Sequence, residues 1–134
     1  MKKDTLCPCG SGLGYRDCCG PRHSGLKPAE TPEQLMRSRY AAYALGNANY
    51  LVATRDPQHR EPGELKGIQA TLRGLRWKSL EILAASGGPG DVEGMVEFRA
   101  TYTANLVPHV LHERSQFRQE NGRWYYSDGV IDPV

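Results

Sequence analysis

Four cysteines, Cys7, Cys9, Cys18 and Cys19, are the only thiols of the chain and all lie in residues 7–19. The spacing C-x-C-x8-C-C supplies two tight sulfur pairs joined by a loop. Four thiolates at about 2.3 Å from one ion satisfy the tetrahedral preference of zinc. Gly10, Gly12, Gly14 and Gly20 leave that loop free to turn around a metal. Four sulfur ligands leave no coordination position open, so the expected role of a zinc ion here is structural. Disulfides are the rival reading. Bridging Cys18 to Cys19, or Cys7 to Cys9, closes rings too small for the relaxed Cα separation of about 5.5 Å. Crossed pairings need an oxidising compartment that nothing else in the chain suggests. Iron or a redox role for the thiols is a third reading. His23 lies four residues past Cys19 and is expected at the surface, since four cysteines already complete the ligand set.

A second place for chemistry lies in residues 110–119. Read as a strand with Leu111 and Phe117 facing inward, this run carries Glu113 and Ser115 inward too, while His112, Arg114, Gln116 and Arg118 face water. A carboxylate in an apolar interior must be paired or must shift its pKa. Arg39 is the expected partner, and an Arg39–Glu113 ion pair would tie a helix to the sheet. The chemical alternative makes Glu113 a general acid or base in an apolar pocket, with Tyr40, Tyr43 or Tyr126 as hydroxyl donors. His59 and His109 fall in expected loops with no identifiable partner. The sequence contains no phosphate loop, nucleophile elbow or HExxH motif.

Positioning these residues falls to a helical first half and an alternating second half. The prolines and glycines of residues 20–30 break any period and predict a linker or extended wrap. Thr31-Pro32-Glu33-Gln34 is a helix start: a threonine cap, proline at the first helical position and glutamine completing a capping box. That helix should run to Leu45 and present Leu35, Met36, Tyr40, Tyr43 and Ala44 as one apolar stripe, with Arg37 and Arg39 at its flanks. A short helical piece over residues 48–54 follows. After a polar loop, a helix over residues 62–73 presents Leu65, Ile68, Gln69 and Leu72 on one face. Beyond Gly74 the period becomes two, predicting strands over residues 75–85, 92–103 and 110–119, then a return through Trp124-Tyr125-Tyr126. In the second strand Val92, Val96, Phe98, Ala100 and Tyr102 share one face. Asn121-Gly122 signals a type I′ hairpin. Helices followed by a four-stranded meander make an α+β layout, with helices packed on one face of a curved sheet.

Composition bounds the partners. The net charge is +2, and the excess lies in the first 30 residues, where Lys2, Lys3, Arg16, Arg22 and Lys27 stand against Asp4, Asp17 and Glu30. The expected task of these cations is to offset an anionic zinc–thiolate centre; a nucleic-acid contact through this lobe is the weaker reading. Lys2 and Lys3 are not followed by an apolar stretch, so no signal peptide is expected. Without a run of 18 apolar residues no membrane span is expected. Reduced cysteines without an export signal predict a bacterial, cytoplasmic protein.

Two resemblances add to this reading. Cys7-Pro8-Cys9-Gly10-Ser11-Gly12, then Tyr15, then Cys18-Cys19-Gly20, resembles the SEC-C zinc motif. The resemblance implies a zinc-stabilised binding knuckle whose ligands are Cys7, Cys9, Cys18 and Cys19; in the SecA translocation ATPase such a knuckle engages a chaperone and the ribosome. Over nearly the full length, Leu35-Met36-Arg37-Ser38-Arg39-Tyr40, residues 111–117 (LHERSQF) and residues 122–129 (GRWYYSDG) resemble the YchJ family. That resemblance implies a nuclear transport factor 2-like (NTF2-like) cone whose sheet wraps the helices and can leave a pocket, and it leaves the activity open. The division expected is a zinc motif over residues 1–22, a linker over 23–31 and the cone over 32–134. The function expected is a protein- or ribosome-interaction module with structural zinc, and the alternative is a small-molecule-binding protein or enzyme using the cone, with Glu113 as acid or base.

Overall fold

The computed structural model describes residues 5–132. Lys2 and Lys3, and the ends of the two outer segments expected above, lie outside the described residues. The cysteine loop leads into a one-turn helix, α1 (Gly20–His23), within the stretch expected as a linker. The central helix α2 (Pro32–Leu45) starts where the capping signal places it. The Thr31 side chain accepts a hydrogen bond from the Gln34 amide at 3.1 Å, while Gln34 Oε1 accepts from the Glu30 amide at 2.8 Å, one residue earlier than in the standard capping box. Gly46, left-handed at φ 78°, ends the helix. Burial on α2 exceeds the expected stripe: Ser38, Arg39, Ala41 and Ala42 are enclosed along with Leu35, Met36 and Tyr40, because sheet, helix and cysteine loop all pack on it. Ala44, expected within the stripe, is exposed.

Helix α3 (Ala48–Ala53) is capped by Asn47, whose side chain accepts from the Tyr50 amide. Helix α4 (Glu64–Arg73) has no buried residue. Its Leu65, Ile68 and Leu72 are only half-buried, and Gln69 is exposed.

The second half forms one antiparallel meander in the order β1 (Leu75–Ser86), β2 (Glu93–Ala104), β3 (Val107–Glu120) and β4 (Arg123–Ile131). Register shifts at Trp77/Ser79 and Ile82/Ala84 bend β1 against β2, and such bulges increase local twist and let the sheet curl around α2. Val92 falls before β2 and is 71% exposed, so it does not join the inward row of Val96, Phe98 and Ala100. Asn121 and Gly122 both have positive φ, as the type I′ signal requires. The β2–β3 turn also uses two positive-φ residues, Asn105 and Leu106, although leucine advertises nothing of the kind. β4 extends five residues past Tyr126, and residues 54–56 pair with its outer edge: the Asp56 amide donates to Tyr126 O and the Tyr126 amide to Thr54 O, both at 2.8 Å. This blunts an edge that would otherwise present free backbone groups. Among the described residues no helix is long and apolar enough to cross a membrane.

Candidate functional site

The cysteine loop is built by a minimal two-stranded closure. Leu6 bridges Gly14, the Cys7 amide donates to Leu13 O at 2.8 Å and the Tyr15 amide to Thr5 O at 2.9 Å. A 3₁₀ turn (Tyr15–Asp17) then carries Cys18 and Cys19 back over Cys7 and Cys9. Gly20 is required at its position, because a Cβ there would meet the Tyr15 carbonyl oxygen at 2.8 Å. The four sulfurs lie within 4.8 Å of one another, with Cys9–Cys18 at 3.6 Å and Cys18–Cys19 at 3.9 Å. Four ligands on 2.3 Å arms place their sulfurs about 3.8 Å apart, so the set has the size of a tetrahedral metal site. These separations are far beyond a disulfide bond of about 2.05 Å, and all four cysteines are free.

As free thiols the group is electrostatically conflicted. Hydrogen bonds from the Cys19 and Cys7 thiols hold Cys9 far below the ordinary thiol range, while the contacts of Cys19 with Cys7 and Cys9, and its burial, push Cys19 far up. Four buried sulfurs this close cannot all ionise together, and a bound dication removes the conflict. Sulfur donors, spacing and burial therefore fit a metal ion. Ser11 Oγ adds a contact to Cys18 Sγ at 3.1 Å.

This lobe is fastened into the body and does not hang from it. The cysteines belong to the same buried cluster as Leu35, Met36, Tyr40, Phe98, Phe117 and Trp124. Arg37 donates from Nη1 to Cys9 O at 2.9 Å and, through Nε, pairs with Glu33 at 3.0 Å. His23, expected at the surface, is half-buried between the rings of Tyr15 and Tyr50. Its Nε2 lies 2.7 Å from Ser38 O, a carbonyl that can only accept, so Nε2 carries the proton and Nδ1 accepts from the Tyr15 hydroxyl at 2.6 Å. Burial lowers the His23 pKa and keeps the ring neutral. Arg22 donates to Cys18 O at 2.6 Å, whereas Arg16 is exposed.

Behind α2 the curled sheet leaves a cavity of about 370 Å³. Arg39, Tyr40, Tyr43, Glu113, Ser115 and Tyr126 all line it, together with Trp77 and Tyr102. Glu113 and Ser115 share the inward face of β3, as the period of two requires. The Arg39–Glu113 ion pair is not formed. Arg39 donates instead from Nη1 to Leu51 O at 2.9 Å and to Thr54 Oγ1 at 2.7 Å, and its guanidinium lies 4.7 Å above the Tyr126 ring. Glu113 Oε2 accepts from Ser115 Oγ at 2.6 Å and from the Tyr126 hydroxyl at 3.2 Å. The Tyr126 ring thus occupies the place where the direct pair was expected. Burial, reinforced by the charge of Glu113, raises the Tyr126 pKa and keeps its hydroxyl a donor. Gly129, opposite Ser115 on β4, leaves room for the carboxylate: a Cβ there would meet Glu113 Cδ at 2.7 Å and Tyr126 Oη at 2.8 Å. Extending the alternation of β1 from Leu75 would have brought Trp77 into this group.

The other ionisable contacts hold the frame. Asp56, 2% exposed, receives Arg118 Nε and Nη2 at 2.9 and 2.8 Å and Ser127 Oγ at 3.1 Å, which links the loop after α3 to β3 and β4. His112 faces outward and meets Glu97 at 2.8 Å. His59, without a partner in the sequence reading, contacts Ser127 O at 2.5 Å, and His109 lies in β3 with its ring stacked on Tyr102.

A four-cysteine knuckle built into the base of a helix-filled, curled sheet defines a class: a SEC-C motif joined to an NTF2-like domain. Residues 5–21 match the SEC-C motif model, and residues 31–129 match the model of the YchJ middle NTF2-like domain. The chain belongs to the YchJ family, also called UPF0225. A UPF0225 protein of Corynebacterium glutamicum is 47% identical over 127 residues, which is 94% of this chain and 97% of that protein. One from Geobacter sulfurreducens is 43% identical, covering 93% of this chain and 78% of its own length. The solution structure of a SEC-C motif-containing protein from Rhodopseudomonas palustris superposes with a TM-score of 0.87 at 41% identity, over 95% of this chain and 98% of that one.

Proposed function

We propose that this protein binds a small molecule in its cone, and that its four cysteines hold a structural zinc ion that fastens the knuckle to the base of that cone. The observation that carries the reading is the aromatic-walled cavity of about 370 Å³ in which the Ser115 and Tyr126 hydroxyls both donate to one oxygen of Glu113. Concave, mostly apolar sites with a few convergent polar groups are where small ligands bind. Glu113 serves as the polar anchor, and Tyr40, Tyr43, Trp77 and Tyr102 supply apolar contact area. Zinc is the metal that four closed thiolate ligands suit, and with no open position it shapes the protein without reacting. A ligand-observed NMR screen against a fragment library tests the cavity: hits should be lost in Ala100→Leu, which fills the lined space, with the circular dichroism spectrum unchanged. Hits that survive the filling refute the cone as the site.

A second reading, docking of the knuckle on a protein or ribosomal partner, is favoured by Leu6 and Leu13, which are 65% and 53% exposed on neighbouring strands of the loop. Co-sedimentation with purified ribosomes, lost when both are changed to serine, supports it; no sedimentation of the intact protein removes the ribosome as partner.

A further inference from the structure

The cavity contains two charges with no ionic partner of their own among the described residues. Four ionisable side chains other than tyrosine line it: Arg39, Arg55, Glu64 and Glu113. Arg55 and Glu64 satisfy each other at 2.9 Å. Arg39 is 95% buried, since only 5% of it is exposed, yet among the described residues no carboxylate lies within ion-pairing distance of it. Its two acceptors among the described residues, Leu51 O and Thr54 Oγ1, are both neutral and both engage Nη1, so Nε and Nη2 have no acceptor among the described residues. Guanidinium does not give up its proton in proteins, so this charge persists. Among the described residues Glu113 likewise has only neutral donors, Ser115 and Tyr126.

An unpaired buried charge is strongly unfavourable unless a partner compensates it. The Tyr126 ring orders the two charges: Arg39 lies over its face, and Glu113 sits at its hydroxyl end. Opposite charges on two sides of one ring, in a cavity with aromatic walls, are complementary to a molecule that carries both signs on an apolar body. Resting on the cone-binding reading above, we propose that the cavity takes a small zwitterion of the α-amino acid class, its carboxylate on Arg39, its ammonium on Glu113 and its side chain against Trp77 and Tyr102. A carboxylate matches the planar donor fork of arginine, which an ammonium cannot. An ammonium over aromatic faces beside Glu113 gains both Coulomb and cation–π attraction.

The test uses the full zinc-loaded chain and the twenty standard amino acids, followed by amide and indole chemical shifts. Two half-charged analogues of phenylalanine, 2-phenylethylamine and 3-phenylpropanoate, are titrated alongside. At least one amino acid with an apolar side chain should move the Trp77 and Tyr126 resonances, and each analogue should bind at least about tenfold more weakly than phenylalanine. Arg39→Met should abolish the advantage of phenylalanine over the amine, and Glu113→Gln its advantage over the acid. The analogue comparison needs only the natural protein, so it stands if a variant fails to fold. Equal or tighter binding of either analogue overturns the zwitterion and leaves the cone a binding site for a singly charged ligand. No response to any amino acid, with fragment hits still displaced by Ala100→Leu, overturns the zwitterion alone. No ligand of any kind in the cavity overturns both.

Discussion

Replacing Gly129 by alanine places a methyl group where the Glu113 carboxylate now lies. The added carbon would stand 2.7 Å from Glu113 Cδ and 2.8 Å from Tyr126 Oη. Ordinary carbon contacts begin near 3.4 Å, so both groups must yield by about 0.6 Å or more. Tyr126 is held by Phe117 at 5.9 Å between ring centroids and by Arg39 above its face, so its hydroxyl can retreat only a little and the carboxylate takes the larger displacement. Swinging it away breaks at least one hydrogen bond to a charged acceptor, a loss of about 1.5–3 kcal/mol. Alanine returns about 0.5–1 kcal/mol through the lower entropy of the unfolded chain. The net destabilisation is about 0.5–2.5 kcal/mol, or about 2–10 °C in the melting midpoint of a chain this size. Gly67→Ala in α4 is the control, because nothing lies within 4 Å of its added carbon and helix propensity alone should stabilise it by about 0.5–1 kcal/mol. Thermal melts of both variants, followed by circular dichroism in the metal-loaded state, read the difference. A Gly129→Ala protein as stable as the natural one would show that Glu113 is not held where the structure places it.

Chelating the metal should destabilise the whole protein in one transition, because the cysteines share a buried cluster with α2 and β2; an unchanged melt of the body after chelation would contradict this. Asp56, held below the usual carboxylate range chiefly by the Arg118 hydrogen bonds, contributes stability that is full above about pH 4 and is lost as the pH falls through and below that value. Asp56→Asn should therefore be less stable at neutral pH by about 2–4 kcal/mol and show a flatter acid limb in urea titrations; parallel limbs would refute it. For His23 burial lowers the folded pKa, so its neutral-form contribution is full above about pH 6.5 and fades as the pH falls below it. The stability gap between the natural protein and His23→Gln should shrink between about pH 6.5 and 5, and a constant gap would remove His23 as a neutral bridge.

The elements with local signals were readable from residue types. Thr31, Pro32 and Gln34 set the start of α2, Gly46 its end, and Asn121-Gly122 the last hairpin, because capping and positive-φ turns depend on the residues at the spot. The inward placement of Glu113 and Ser115 followed from a period of two that Leu111 and Phe117 anchor. What those periods cannot encode is which side chain stands between two others. Arg39 and Glu113 reach the same cavity, but the Tyr126 ring intervenes, and its position depends on β4 continuing through Gly129. His23 is expected at the surface because four cysteines already complete the ligand set. Its two partners, Tyr15 and Ser38, come from either side in sequence and meet it only after the knuckle docks on α2. The Asp56–Arg118 clamp spans 62 residues, and neither residue carries a local mark of the other.

Helix α4 covers part of the cavity through Glu64, Ile68 and Thr71 yet buries none of its own residues. Local opening free energies follow the number of apolar contacts broken, so this helix should be cheaper to undock than α2 or the sheet. Exchange of the ligand proposed above would then proceed by sub-global fluctuation while α2, the sheet and the cysteine knuckle remain assembled. The lifetime of a complex would be governed by the latch at α4, and the thermal endurance of the protein by the core beneath it.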